Sequence, residues 1–243
     1  MAIVNEKFIH FSFEYKNGLN IDTLEFQPKS SCIGSGLYFT ELNNLPKWFI
    51  MGNYICKVII PNDAYVYIEI NKFKADKIIL DLDNKVSIRD FYAWKNFNFC
   101  ISAIKANGNF LQFIKNQTEE LCLLAIQNKG ESLYFIKEQT EEICLLSIKQ
   151  NGRNLQFANK QTEELCKLAV QENCYALEFV KDQTEEICKL AIQENGYALE
   201  FVKNQTEEIC LLAVKQNSII FKFVKIKTDN LYKLVALLNS SVN

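Results

Sequence analysis

The sequence predicts an α+β head followed by an α-helical solenoid of about six 22-residue helical-hairpin repeats, so that the protein is mainly α overall. Three observations support this fold class. The phrase QTEEICKLAIQENGYALEFVKN, residues 183–204, recurs at a fixed spacing, which is typical of a stacked array. Its apolar residues follow helical spacing. The N-terminal part lacks the phrase and consists of short segments rich in β-branched and aromatic residues, which indicate strands.

Two domains follow from this change of pattern. We assign residues 1–86 to the head and residues 87–243 to the solenoid. The segment SIRDFYAWKN already has the phase of the repeat, since Phe91 precedes Phe113 by one 22-residue period. Residues 87–99 are therefore predicted to form the joint and N-terminal cap of the array, and residues 227–243 its C-terminal cap.

Each repeat begins with a helix signal. Thr184 is a side-chain acceptor at the position of an N-cap, and the two glutamates after it complement the helix dipole. Ile187, Leu190 and Ala191 share one face of the predicted helix. We interpret the repeated Glu-Glu pairs as helix-start electrostatics rather than as catalytic carboxylates. Equivalent helix starts are predicted at Thr118, Thr140, Thr162, Thr184 and Thr206.

The second half of each repeat predicts a shorter helix. Gly196 is placed to adopt the left-handed conformation that ends the first helix. Ala198, Phe201 and Val202 then recur at helical spacing over about seven residues. Short helices are marginal alone in water, so stacking of neighbouring repeats is expected to stabilise them.

A column of cysteines recurs once per repeat, and we predict that these thiols are reduced, buried core residues. Equivalent residues of packed helices lie roughly 8–10 Å apart, too far for a disulfide or a shared zinc ion. No metal site is therefore expected. Cys174 replaces the turn glycine and is predicted to be the most exposed repeat thiol. The column consists of Cys100, Cys122, Cys144, Cys166, Cys188 and Cys210.

Two other columns vary in charge and size, which is typical of positions that face solvent or a partner. If the array binds a protein, these positions form its binding surface; the alternative is a merely solvated face. The predicted binding residues are Tyr134, Arg153, Tyr175, Glu178, Tyr197, Glu200 and Ile219.

The head predicts several strands and one helix. Residues 40–53 read as a helix that Thr40 caps and Gly52 ends, with a start nearer Asn44 as the alternative because of Pro46. Residues 61–63, Pro-Asn-Asp, predict a hairpin turn between two strands. The predicted strands span residues 7–13, 36–40, 54–60, 64–70 and 76–80.

The amino-acid composition of the chain argues against several classes of function. The net charge is −2 with a pI near 5.7, so no basic field indicates nucleic acid or an anionic membrane. No apolar run is long enough to span a membrane, and the start does not read as a signal peptide. Nine cysteines without such a signal favour a reducing, intracellular compartment. No nucleotide-binding or hydrolase motif is visible, and no cofactor is predicted from the residues.

The repeats resemble a family of TEEICLxAV-type repeats found in giant viruses and some bacteria, over about residues 96–235; the TEE(I/L)C motif occurs five times. This resemblance implies an α-helical array without known chemistry. The head, over residues 16–26, 36–40 and 60–80, resembles the segment that precedes ankyrin repeats in many Mimivirus-type proteins. That resemblance implies a viral family in which a shared head is joined to different arrays.

The segment GSGLYFTE, residues 34–41, is similar to the GxGxYF segment of poly-ADP-ribose-polymerase-type ADP-ribosyltransferases. This resemblance implies NAD as cofactor, with His10 and Tyr38 holding the nicotinamide ribose and ring and Glu69 orienting the ribose hydroxyl. Three functions stay open: protein binding by the array in the host cytoplasm, an ADP-ribosyltransferase-like head aimed by the array, and a structural or virion-associated role. The first is the favoured prediction, with an unidentified protein as partner.

Overall fold

The computed structural model describes residues 1–4, 9–10 (backbone only), 13–28 and 36–240. The chain divides into two compact units, Met1–Asn116 and Gln117–Asn243. The first unit contains the strand-rich head and the first repeat, and the second unit contains the remaining repeats. The predicted boundary between head and solenoid at residue 86 stays a prediction, because it marks where the 22-residue spacing begins in the sequence and not where the packing changes.

Short strands build the first unit, as the aromatic and β-branched composition predicted. Eleven are found among the described residues: β1 Ala2–Val4, β2 Ile9–His10, β3 Phe13–Glu14, β4 Gly18–Ile21, β5 Leu37–Phe39, β6 Tyr54–Cys56, β7 Val58–Ile59, β8 Val66–Ile68, β9 Phe73–Ala75, β10 Lys77–Leu80 and β11 Val86–Ser87. Strands β1, β4, β9 and β11 lie outside the predicted segments.

These strands form small antiparallel sheets. Their orders are β1-β6-β11, β4-β10-β7 and β5-β9-β8, and β2 pairs with β3. The single strand predicted over 54–60 was wrong, because β6 and β7 on either side of Lys57 join different sheets. The turn at 61–63 exists, since the amide of Ala64 donates to the carbonyl of Pro61 at 3.0 Å. It is not a hairpin turn, because β7 pairs with β10 and β8 pairs with β9.

The helix predicted over 40–53 is a 3₁₀ helix, Leu42–Met51, which contains Pro46 and is followed by Gly52. Thr40 does not cap it. The Thr40 hydroxyl instead donates to the carbonyl of Asn71 at 2.7 Å, which ties this helix to the segment before β9. The correction matters because this hydrogen bond positions one wall of a cavity described below.

Two short 3₁₀ helices, Ile88–Asp90 and Tyr92–Lys95, lead into α1, Phe97–Ala106. An aromatic cluster holds this part of the first unit together. The Trp94 ring lies 5.7 Å from Phe49 and 5.2 Å from Phe99, and its Nε1 donates to the carbonyl of Ile88 at 2.6 Å. Such ring pairs are worth about 0.5–1.5 kcal/mol beyond the area they bury.

Helices make up the second unit, and residues 96–240 contain no strand. Each helix of the threonine series begins one residue after its threonine, whose Oγ1 accepts from the backbone N–H three residues later at 3.3–3.4 Å. The predicted N-caps are therefore confirmed. These helices are α2 Glu119–Asn128, α3 Glu141–Gln150, α4 Glu163–Glu172, α5 Glu185–Glu194 and α6 Glu207–Gln216. The last helix, α7 Asp229–Ser240, follows Thr228, whose hydroxyl donates to Glu207 Oε1 at 2.6 Å.

The second element of each repeat is a six-residue 3₁₀ helix, not the α-type helix that the spacing suggested. Asn195 caps one of them, since its Oδ1 accepts from the amide of Tyr197 at 2.9 Å. The prediction that Gly196 adopts the left-handed conformation was wrong, because the positive-φ glycines of the described residues are Gly18 and Gly36. These 3₁₀ helices of the second unit are Gly130–Phe135, Gly152–Phe157, Cys174–Phe179, Gly196–Phe201 and Ser218–Phe223.

Close packing explains why glycine nevertheless recurs there. A Cβ atom on Gly152 would lie 2.1 Å from the carbonyl oxygen of Ala169 in the next repeat. The backbone of one repeat therefore approaches that of the next too closely for an ordinary side chain at this position.

A ladder of glutamines connects consecutive repeats of the second unit. The Nε2 of Gln161 donates to the carbonyl of Phe179 at 3.0 Å, and its Oε1 accepts from the amide of Lys181 at 3.0 Å. Both partners belong to the same repeat as Gln161, and the same Nε2 also donates to the carbonyl of Leu155 in the preceding repeat at 3.4 Å, so one side chain satisfies backbone groups of two repeats. This glutamine ladder consists of Gln117, Gln139, Gln161, Gln183 and Gln205.

The cysteine column lies in the core, as predicted. Its six members are buried and free, with exposed fractions between 0 and 4%. Burial raises the pKa of Cys166 to about 11. Cys174 is the most exposed repeat thiol at 8%, yet it is also buried.

Candidate functional site

The variable columns lie on the 3₁₀ helices of the second unit. We call the surface formed by their outward side chains the 3₁₀ face. Tyr134 is 67% exposed, Ile219 is 60% exposed and Tyr175 is 36% exposed. Glu178 and Glu200 are exposed as well, whereas Arg153 and Tyr197 are half-buried. All seven residues predicted to form the binding surface therefore lie on these elements.

Side chains of this face stack on phenylalanines of the next repeat. The Tyr175 ring lies 5.9 Å from that of Phe201, and the Tyr197 ring lies 6.2 Å from that of Phe223, both edge to face. Arg153 follows the same rule, with its guanidinium 5.0 Å from the ring of Phe179. The varied residue of one repeat is thus held in place by the invariant residue of the next.

An ion pair crosses the same repeats. Arg153 Nη2 lies 3.2 Å from Glu178 Oε2, and both side chains are more than two-fifths exposed. Exposed pairs contribute little free energy, about 0–1 kcal/mol, so the pair orients the two charges more than it stabilises the stack. The 3₁₀ face therefore presents aromatic rings with charged groups of both signs between them.

The first turns of the α-helices form a different, acidic edge. Lys167 bridges two repeats there, with its Nζ 2.8 Å from Glu186 Oε1 and 3.0 Å from Glu163 Oε1. Hydrogen bonds to Glu186 and then Glu163 raise the pKa of Lys167 to about 12. Lys189 repeats this arrangement one repeat later with Glu208 and Glu185. The Glu-Glu pairs therefore act both at helix starts and in ion pairs between repeats.

Two of the three residues predicted to act in ADP-ribosyl transfer meet at one lysine of the head. The Nζ of Lys72 lies 4.6 Å from the centre of the Tyr38 ring and 3.5 Å from Glu69 Oε2. Tyr38 is on β5, and Glu69 follows β8, in the same sheet. The backbone of His10 lies in β2, and its side chain is outside the described residues.

This arrangement differs from a nicotinamide site in one respect. A cationic ammonium group already lies over the Tyr38 ring, and Lys74 Nζ adds a second positive charge 5.8 Å from that ring. The nicotinamide ring of NAD is itself cationic, so these lysines oppose its stacking on Tyr38. Among the described residues, no group of three or more His, Cys, Asp or Glu side chains is placed to hold a metal ion.

Sequence reasoning missed the glutamine ladder and the two lysines. The invariance of glutamine one residue before each helix-capping threonine was a usable signal, because a solvated loop does not require one residue type. Nothing in the sequence around Lys72 and Lys74 indicated that these lysines would be buried beside Tyr38. They flank Phe73 in a strand that the sequence pattern did not reveal, and burial of Lys74 to 1% exposure depends on sheet pairing.

These features define a class of protein: tandem helical repeats preceded by a strand-rich head. Residues 140–184 and 184–227 each match a family described as "Domain of unknown function (DUF4116)". The chain is 34% identical over 113 residues to "Uncharacterized protein R869" of Acanthamoeba polyphaga mimivirus, a match that covers 44% of this chain and 80% of that protein. The chain therefore belongs to the family of this mimivirus protein.

Two further mimivirus proteins are also similar. The chain is 34% identical over 95 residues to "Putative ankyrin repeat protein R229" and 35% identical over 100 residues to "Putative ankyrin repeat protein R868". These matches cover 35% and 38% of this chain, but only 30% and 49% of the two relatives. No solved structure matches the chain. The predicted kinship with ankyrin-repeat-related Mimivirus proteins is thereby confirmed.

Proposed function

We propose that the chain is a protein-binding repeat protein whose 3₁₀ face docks a protein of the host cell. The observation that carries this proposal is the contrast between the two kinds of column. Invariant phenylalanines hold side chains that differ from repeat to repeat, so a fixed frame presents a varied surface. Such a frame costs little ordering on binding, which favours recognition.

The side chains of the 3₁₀ face indicate which chemical groups the partner should present. Tyr134, Tyr175 and Ile219 offer partly exposed apolar area, and tyrosines are frequent anchors of protein interfaces. Glu200 adds an exposed negative charge beside them. The partner is therefore expected to present apolar side chains along the repeats together with a basic group that meets Glu200.

Position in the cell is part of the same proposal. Within the described residues, no helix is both long and apolar enough to cross a membrane. Free, buried thiols agree with a reducing compartment. We propose the host cytoplasm as the site of the interaction, and association with the virion is the alternative.

The experiment compares affinity capture from host lysate by the full chain and by a triple variant, Tyr175→Ser, Tyr197→Ser and Ile219→Ser. Proteins retained by the wild type and lost by the triple variant are purified and titrated calorimetrically. We expect affinity to fall by at least about tenfold, because interface anchors are each worth 2 kcal/mol or more.

A matched control carries three substitutions on the acidic edge: Glu120→Gln, Glu142→Gln and Glu164→Gln. These residues are exposed in the first turns of α2, α3 and α4, so the control should bind like the wild type. Circular dichroism confirms that both variants keep their helices. If no purified partner distinguishes the triple variant from the control, the proposal is wrong, and the structural or virion-associated role becomes the better one.

A further inference from the structure

A cavity lies in the head. Its volume is about 90 Å³. Its walls come from β1, from β5 and from the 3₁₀ helix Leu42–Met51, which the Thr40–Asn71 hydrogen bond ties in place. Most of the lining is apolar, and the residues used below are Tyr15, Tyr38, Trp48, Met51 and Lys72.

Lys72 supplies a cation inside this cavity. The residue is only 8% exposed. Its Nζ lies between two aromatic rings, 4.6 Å from the centre of Tyr38 and 5.5 Å from that of Trp48. Glu69 holds the ammonium group from the other side, with Oε2 at 3.5 Å. The ammonium group is therefore fixed, partly desolvated and directed at aromatic walls.

Lys74 adds a second buried cation nearby. It is 1% exposed, and its Nζ donates to the backbone carbonyl of Gln27 at 3.0 Å. No carboxylate of the described residues forms an ion pair with Lys74. A buried charge is costly unless an opposite charge compensates it. The surroundings of Tyr38 therefore attract an anion.

Two further groups determine the charge of the site. The carboxylate of Glu69 offsets part of the positive charge, because its Oε2 pairs with Lys72 while its buried Oε1 has no hydrogen-bond partner among the described residues. Burial raises the pKa of Tyr15 to about 12, so this phenol stays neutral at physiological pH. The lining thus contains the ammonium group of Lys72, which Glu69 partly neutralises, and a neutral phenol.

Cavity size limits the ligand. One water molecule needs about 10–15 Å³ of this kind of volume, so the cavity holds roughly six to nine non-hydrogen atoms. A dinucleotide is much larger. A flat apolar body of this size fits the walls formed by Tyr15, Tyr38, Trp48 and Met51.

We propose that this cavity binds a small organic anion, a carboxylate or a phosphate on a flat apolar body, with the anionic group on Lys72 and the body against Tyr38 and Trp48. Lys74 keeps the site positive despite Glu69. The site is distinct from the protein-binding face and does not depend on it.

The test titrates the full chain with benzoate and neutral benzamide, which have nearly equal shape, and with phenyl phosphate, which is larger by two non-hydrogen atoms and tests whether the mouth of the cavity admits a phosphate. Ligand-observed NMR or calorimetry measures the affinity. We expect at least one of the two anions to bind about tenfold or more tightly than benzamide, because only an anion gains the charge interaction. The ranking of benzoate and phenyl phosphate decides between carboxylate and phosphate.

Variants locate the site. Lys72→Met should weaken the anion about tenfold, whereas Lys57→Met, which removes an exposed lysine outside the lining, should leave it unchanged. Benzamide binding as tight as the anions, no saturable binding of either anion, or equal affinity in Lys72→Met would each overturn the proposal. If Lys72→Met does not fold, the comparison of anions with benzamide on the wild type decides.

Discussion

The side chain of Gln183 is hydrogen-bonded to the backbone of Phe201 near the end of the same repeat, with Nε2 3.0 Å from the carbonyl oxygen. The same Nε2 donates to Leu177 at 2.9 Å, and Oε1 accepts from the amide of Lys203 at 2.9 Å. One amide therefore joins the 3₁₀ helices of two repeats. The stack depends on this polar contact as well as on its apolar core.

Replacement of Gln183 by alanine should lower the free energy of unfolding by about 1–3 kcal/mol, because it removes three hydrogen bonds, two of which satisfy the part-buried carbonyls of Leu177 and Phe201. Urea unfolding followed by circular dichroism measures the change. Gln193→Ala is the matched control, since Gln193 is exposed on α5 and should cost less than about 0.5 kcal/mol. Equal losses of unfolding free energy in both variants would show that the glutamine ladder does not stabilise the stack.

Replacement of Thr184 by alanine should cost about 1 kcal/mol, since Thr184 Oγ1 accepts from the amide of Ile187 at 3.3 Å at the start of α5. Thr184→Ser keeps the acceptor and should lose much less. Denaturant unfolding of the two variants under identical conditions checks this. A serine variant as unstable as the alanine variant would assign the loss to the threonine methyl group instead of the cap.

Alkylation should reach Cys174 before the cysteine column. Cys174 is 8% exposed, compared with 3–4% for Cys122, Cys144, Cys166 and Cys188, and burial raises the pKa of all five thiols. All should therefore react slowly in the native protein, with Cys174 first. Timed iodoacetamide labelling with peptide mass spectrometry gives the order, and urea-unfolded protein is the control. Faster labelling of Cys122 would contradict this prediction.

Alkaline pH should destabilise the second unit through its thiols. Burial raises the pKa of Cys166 from 9.0 to about 11 in the folded protein. Between these values the unfolded chain has lost the proton and the folded chain keeps it, so the contribution is complete below pH 9.0 and disappears as the pH rises through about 11. Unfolding free energy measured across this window should fall less steeply in Cys166→Ala. An identical slope in that variant would count against a titrating Cys166.

Incubation with labelled NAD and host lysate tests the ADP-ribosyltransferase alternative. We expect no transfer above background, because the ammonium of Lys72 lies over the Tyr38 ring where nicotinamide would stack. Glu69→Gln is the informative variant, since it preserves size and removes the charge that would stabilise a cationic ribose. Transfer by the wild type that Glu69→Gln abolishes would establish the enzyme and refute this expectation.

The sequence predicted the repeats better than the head for a physical reason. Each α-helix is set by local signals, such as a threonine cap and apolar residues on one face, and all five predicted starts are found. The 3₁₀ helices were misjudged because six residues are too few for the spacing of apolar side chains to separate a 3₁₀ helix from an α-helix. Gly196 was misinterpreted because its role depends on the next repeat, where the carbonyl oxygen of Ala213 would lie 3.0 Å from a Cβ atom on it.

The structure of the head and the surroundings of Tyr38 were harder to predict, because they depend on contacts between residues far apart in sequence. Alternating composition indicated strands, yet nothing local shows that the strand ends at Cys56 and that Val58 joins another sheet. Tyr38 and Glu69 were singled out by resemblance, but the lysine between them was not, because Lys72 reaches them only once β5 and β9 pair. The variable columns, in contrast, could be predicted from the sequence, because variation of charge and size between repeats indicates exposed positions.

The glutamine ladder has a consequence for how such genes change length. Since the joints between repeats of the second unit are made by the same side-chain amide and equivalent backbone groups, a duplicated copy inserted between two of these repeats would meet a native joint on each side. Deletion of a copy would likewise leave a matching joint. Lys227 stands where the next glutamine of the series would be, so that series stops at Gln205. Unequal recombination could therefore add or remove copies upstream of this point without the need for compensating mutations.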